Sequence, residues 1–162
     1  MAIQRLTELL DQEGVRYVLL RHPLAYTAQQ TSEAAHISGR LMAKTVMVRL
    51  DGRMAMVVIP ACTRVDLHEL ALATGAHEVR LAAEAEFQRV FPDSEIGAEP
   101  PLGNLYGVPV YISEALTRND LLAFNAGTHE ELIELRYADY DRLVRPTIVR
   151  CSVHETAELA TR

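Results

Sequence analysis

Several absences narrow the reading before any motif does. No apolar run approaches the ~20 residues a membrane-spanning helix requires, which excludes a helical transmembrane protein. Gly and Pro number 8 and 7 among 162 residues, far from the excess of a fibrous or low-complexity chain. The only cysteines, Cys62 and Cys151, stand too far apart for a metal-ligand spacing. The chain therefore reads as a reduced, cytoplasmic protein without a disulfide framework. Met1-Ala2-Ile3-Gln4-Arg5 does not begin a basic-then-apolar leader, because Asp11 and Glu13 follow almost at once. Basic charge is scarce: 22 acids against 16 bases give a net charge of −6. That balance excludes nucleic-acid binding spread over the whole surface but leaves one local phosphate contact open. Common enzyme signatures are missing too. There is no Gly-rich loop with a phosphate-binding lysine and no Gly-x-Ser-x-Gly elbow, and His68-Glu69 runs into Leu70-Ala71-Leu72 where a second metal-binding histidine would have to follow.

What is present suits one domain, with 49% apolar residues. Ile3, Leu6, Leu9 and Leu10 recur at helical spacing and stop at Gly14. Arg16 to Leu20 reads as a strand, and Thr31-Ser32 as the cap of a short helix closed by Ser38-Gly39. Two apolar runs, 44–50 and 54–59, flank Asp51-Gly52, the strongest short hairpin signal in the chain. Helices are expected over 65–74, 83–91 and 138–144, and strands over 78–81, 108–112, 121–124 and 132–135. After Thr147 the periodicity fades, which suggests a domain over 1–146 and a peripheral tail over 147–162. Short strands joined by hairpins rather than regular crossovers predict an α/β fold: a mixed, largely antiparallel, β-barrel-like sheet surrounded by helices.

Three places could carry chemistry. Lys44 is the single lysine among the 16 basic residues. Period-two alternation sets it on one face with Val46, Val48 and Leu50, where an ammonium either points into a cleft or snorkels to water. The stretch Gly97-Ala98-Glu99-Pro100-Pro101-Leu102-Gly103 has glycines at both ends and two prolines between. It is either a plain connector or a stiff turn that presents amides to an oxygen. Gly127-Thr128-His129 is a turn that allows close backbone approach beside an imidazole. Cys62 is a nucleophile in principle, but no histidine stands beside it in sequence, and burial is the simpler reading.

Together these places resemble the YbaK / prolyl-tRNA-synthetase-associated editing domain family. The resembling residues are Ala43-Lys44-Thr45-Val46, the 97–103 stretch and Phe124-Asn125-Ala126-Gly127-Thr128-His129, with His22-Pro23 and Thr27 upstream, and the likeness spans residues 3–145. The resemblance implies hydrolysis of the ester that links a wrong amino acid to tRNA. By that likeness Lys44 holds the phosphate of the terminal adenosine, Gly97 and its loop orient the ester and stabilise its oxyanion, and His129 shapes the amino-acid pocket. Thr27, Thr45, Pro101, Leu102, Gly103, Asn125 and Gly127 are the implied substrate-binding residues. No metal or cofactor is implied. The implied partners are the 3′ end of aminoacyl-tRNA and prolyl-tRNA synthetase, with no membrane or DNA partner.

Family members that clear cysteine from prolyl-tRNA typically carry Ser-Gly-Gly where this chain has Asn125 to His129. Cysteine, alanine and other small amino acids therefore stay open as the edited residue. A non-catalytic aminoacyl- or nucleotide-binding module and an oligomerising scaffold are the rival readings. Oligomeric state is not legible in the sequence.

Overall fold

The computed structural model describes residues 2–154. Helix α1 (Ala2–Gln12) buries Ala2, Leu6 and Leu10, one residue per turn along a single stripe, and ends before Gly14 at φ +67°. Strand β1 is Tyr17–Arg21 and helix α2 Ala28–Ala34. The cap of α2 is Thr27, not Thr31-Ser32: its hydroxyl accepts the Gln30 amide while the Gln30 side chain reaches back to the Thr27 amide. Thr31 and Ser32 sit inside the helix, buried, and donate back to the Thr27 and Gln29 carbonyls.

The hairpin forms as expected. Strands β2 (Met42–Leu50) and β3 (Arg53–Pro60) pair antiparallel, with Leu50 opposite Arg53 across Asp51-Gly52. Asp51 (φ +49°) and Gly52 (φ +82°) supply the two positive φ angles this turn requires. The remaining elements are β4 (Thr63–Val65), α3 (Leu67–Thr74), β5 (Val79–Leu81), α4 (Glu84–Gln88), β6 (Val110–Ser113), β7 (Leu121–Asn125), β8 (Glu131–Arg136), α5 (Tyr137–Val144), β9 (Thr147–Val149) and β10 (Ser152–His154).

The main sheet runs β1-β8-β7-β2-β3-β6-β9, with β5 also paired to β2. Antiparallel pairs join β1/β8, β7/β8, β2/β3 and β2/β5; parallel pairs join β2/β7, β3/β6 and β6/β9. The mixed α/β character expected from the sequence is present, but the sheet does not close as a barrel. Its end strands β1 and β9 do not pair with each other, and Val18, Leu19 and Ile148 on them are exposed. Residues 147–154 differ from the peripheral tail expected there, while 155–162 lie outside the described residues. Thr147–Val149 extends the main sheet, Ser152–His154 pairs with β4, and Val149 and Cys151 are buried against Leu70 of α3. Strands of three residues are too short to show a period, so this one could not be read in advance. No described helix is long and apolar enough to cross a membrane.

One feature of the topology prepares the site. The edge of β2 away from β3 pairs with β7 only at Met42 and Ala43 and with β5 only from Val48 to Leu50. Between those contacts, around Lys44 to Val46, the edge faces no described strand. Below the sheet lies the main core, including Ala43, Met47, Phe124 and Tyr140. On the other face two smaller clusters form, one around Met42 and Ala61 against α2, one around Val48 and Val57 against α3. Lys44 projects from β2 in the seam between them, because it alternates with Met42 and Val46.

The buried Tyr140 hydroxyl donates to the Pro101 carbonyl at 2.6 Å and ties α5 to the 97–103 stretch. Tyr140→Phe leaves that carbonyl without this partner, so urea denaturation is expected to show a loss of about 1–3 kcal/mol. An unchanged midpoint would mean the tie contributes nothing net.

Candidate functional site

Where β2 forks, a hollow of about 330 Å³ opens, lined by Thr27, Ala28, Gln29, Lys44, Thr45, Ala61 and Gly97. Because no strand covers this edge, Lys44 from one face of the sheet and Thr45 from the other both reach it. Thr27 enters from the start of α2, where capping fixes its hydroxyl. Gly97 enters from the long connection between α4 and β6. Its φ of +86° is open to glycine and costly for other residues.

That connection is irregular backbone held indoors. Ala98 to Gly103 are all buried, so their polar groups need partners inside the protein. The Thr45 hydroxyl donates to the Glu99 carbonyl at 3.0 Å. The Ala98 carbonyl accepts the Gly127 amide at 2.9 Å, and the Gly127 carbonyl accepts the Glu95 amide at 2.8 Å. The His129 ring donates from Nε2 to the Ile96 carbonyl at 2.7 Å. This bond leaves Nδ1 as the ring's acceptor, buried and without a hydrogen-bond partner.

The structure thus divides the sequence candidates. Lys44, Thr45, Thr27 and Gly97 line one hollow. His129 stands one layer behind: it is 5% exposed, and its Cε1 lies 3.4 Å from where a Gly97 side chain would begin. Gly127 is packed against α1, where an added Cβ would lie 2.7 Å from that of Ala2. Asn125 is buried at the end of β7. Pro101 accepts from Tyr140, Leu102 is wholly buried, and a Cβ on Gly103 would strike the Val108 carbonyl. None of these six lines the hollow; they brace the segment that does.

Glu99 is the residue that sequence reasoning passed over. Both its carboxylate oxygens accept the Gly97 amide, at 3.1 Å each. The amide expected to face a developing oxyanion is therefore already engaged. Burial pushes the Glu99 carboxyl above its ordinary range, against the opposing pull of the amides and of His129. The available signal was an acid flanked by Ala98 and Pro100 in an otherwise apolar stretch. No group of three or more His, Cys, Asp or Glu suited to a metal ion occurs among the described residues.

Comparison with known proteins bears on the family and the fold. The family model described as the aminoacyl-tRNA editing domain matches residues 22–143. The chain is 28% identical over 151 residues to the Multifunctional Ser/Thr-tRNA deacylase ProXp-y of Escherichia coli (strain K12), covering 90% of each chain. Among solved structures, hypothetical protein APE2540 superposes with a TM-score of 0.81 at 19% identity, over 91% of this chain and 99% of that one. A protein proposed to be a trans-editing enzyme for prolyl tRNA synthetase superposes with a TM-score of 0.80 at 18% identity, over 96% of this chain and 98% of that one. At those identities the likeness to the solved structures establishes the fold.

The Glu99 environment has a consequence for pH. The folded state keeps the Glu99 proton to higher pH than the unfolded state does, so this group favours folding at acidic pH and loses that contribution as pH rises. Glu99→Gln keeps an acceptor for the Gly97 amide and removes the buried charge. Thermal unfolding between about pH 4 and about pH 8 should show the variant gaining on wild type toward the upper end. A variant that loses ground there instead would show the carboxylate to be net stabilising.

Proposed function

The chain belongs to the aminoacyl-tRNA editing domain family and is an aminoacyl-tRNA deacylase; from that premise we propose that it acts on tRNA charged with a small amino acid, serine and threonine esters ahead of alanine and cysteine. The observation that carries the proposal is the convergence of Thr27, Lys44, Thr45 and Gly97, from three separate segments, on one hollow.

The roles follow from chemistry. Lys44 presents a compact ammonium to the phosphate of the terminal nucleotide. Gly97, without a side chain, lets the ester carbonyl approach the backbone. Water adds to that carbonyl carbon, the bond to the ribose oxygen breaks, and the proton from water ends on the ribose oxygen. Lys44 is the one titratable side chain on the described lining, and as an ammonium it is no base. That supports attack assisted by the neighbouring ribose hydroxyl, with the protein supplying position and charge.

Specificity rests on the hydroxyls. Thr27 already accepts the Gln30 amide and Thr45 already donates to Glu99, yet each oxygen keeps capacity to accept. A serine or threonine hydroxyl can donate there, whereas alanine has no donor and a thiol is a weak one. One such bond is worth about 0.5–1.5 kcal/mol, a preference of roughly three- to tenfold. The Escherichia coli relative is named for Ser/Thr-tRNA deacylation, which points the same way. Proline tRNA, a link to prolyl-tRNA synthetase and a cytoplasmic location remain part of this proposal.

A panel of seryl-, threonyl-, alanyl- and cysteinyl-tRNA, the latter two on proline tRNA, tests it by release of the amino acid. Serine and threonine release should be fastest. Lys44→Ala should raise KM for aminoacyl-tRNA about 10- to 100-fold, the loss expected of a charge-assisted contact, with Lys44→Arg between it and wild type. No release from any substrate would defeat the proposal, and an unaffected Lys44→Ala would remove the role given to the ammonium.

A further inference from the structure

A second and larger hollow, of about 550 Å³, shares the Pro60–Thr63 turn with the first. Ala61 lines the smaller hollow, while Pro60, Cys62 and Thr63 line the larger. Neighbouring residues of one turn thus serve both. In a chain of net charge −6, the larger hollow has the opposite local balance: Arg40, Arg118, Arg150 and His154 surround it, against the single carboxylate of Glu114.

Glu114 does not neutralise this set. It lies 3.9 Å from Arg118 and 3.6 Å from Arg150, whose side chains are 74% and 81% exposed. Such exposed pairs are worth little and can yield to a phosphate, which guanidinium groups bind in bidentate fashion. Arg40 comes from the segment before β2, with its carbonyl held by the Asn119 side chain at 2.7 Å. Hydroxyls of Thr63, Ser113 and Ser152 add neutral hydrogen-bonding groups, the last two joined at 2.8 Å.

The described lining has no Phe, Tyr or Trp ring; its planar groups are the His154 imidazole and the guanidiniums. Nor does it offer a nucleophile at Cys151. Burial, with Asp66 and Glu114 nearby, pushes that thiol up to about 12 and keeps it protonated. With Cys62 the other thiol on the lining, the dominant groups are three guanidiniums and three hydroxyls, which is chemistry for anionic oxygens.

We propose that the arginine-lined hollow is the subsite for the phosphodiester backbone of the single-stranded nucleotides just 5′ of the one whose ester is cut in the Lys44 hollow. This rests on the deacylase reading above. It gives an acidic protein a short electropositive track that begins beside its reaction site. The track reads backbone rather than sequence.

The test compares two esters and one uncharged ligand. The substrates are seryl-tRNA and the 3′-seryl ester of adenosine 5′-monophosphate, which is too short to reach the second hollow. The variant is Arg40→Ala/Arg118→Ala/Arg150→Ala. It should lose about 10- to 100-fold in kcat/KM on seryl-tRNA at about 0.1 M salt and stay within about twofold on the short ester. Its binding of uncharged tRNA should show a salt slope smaller by about 2, at roughly 0.7 per single-strand phosphate. Lysine at the same three positions should restore most of that slope, which separates charge from folding. Unchanged tRNA binding at every salt concentration would overturn the proposal, as would equal losses on both esters. Inorganic phosphate bound with the same arginine dependence, while tRNA binding stays unmoved, would reduce the hollow to a simple anion site. If wild type cleaves neither ester the proposed serine preference fails, and the salt slope on uncharged tRNA still decides whether the arginines hold a polynucleotide.

Discussion

The molecule depends on an interruption in its sheet. Strand β2 is paired along its whole length to β3, but its other edge is shared between β7 at one end and β5 at the other. The gap leaves a short stretch of edge at Lys44 to Val46, which in an ordinary sheet would attract another strand. Here the irregular segment around Gly97 to Glu99 is fastened beside it, through the Thr45 hydroxyl. That segment takes the place of a strand beside β2, and residues from both faces of the sheet meet in one hollow. A closed barrel with continuous pairing on both edges of β2 would have kept Lys44 and Thr45 on opposite sides of a wall.

Holding irregular backbone inside a protein is expensive unless its polar groups are satisfied, and this requirement organises the second layer. The bonds from Gly127, His129, Tyr140 and Thr45 to the 95–101 stretch are the satisfaction of those groups, and they come from three places: the turn between β7 and β8, α5 and β2. The bracing extends further. Gly127 has room for no side chain because Ala2 of α1 packs there, so the first helix supports the loop from behind. The segment beside the hollow is thus tied to the core at several points, which would suit the proposed reaction, one that relies on position more than on a strong base.

Sequence reading found the parts and misjudged their layers. The Asp51-Gly52 hairpin, the alternation that puts Lys44 with Val46 and Val48, and the Gly75 stop of α3 were legible because each is a local rule of backbone geometry. The identity of the three motifs was legible too, since glycine and proline at fixed spacing mark unusual backbone. What could not be read was which motif residues face the substrate. Gly97 and Gly127 carry the same local signal, a positive φ, yet one opens onto the hollow and the other onto a helix. Only tertiary contacts separate them. The open sheet and the strands after Pro146 were hidden for a related reason: pairings of two or three residues leave no period in the sequence.

The chemistry of the hollow follows from where charge is allowed. Glu99 sits within the same segment as Gly97, and its carboxylate takes the amide that a developing negative charge would need. An acid in that position would repel an anionic transition state unless it were held away or kept protonated, and burial raises its affinity for a proton. With that amide engaged, Lys44 is the sole charged group on the described lining, which supports its proposed contact with the terminal phosphate.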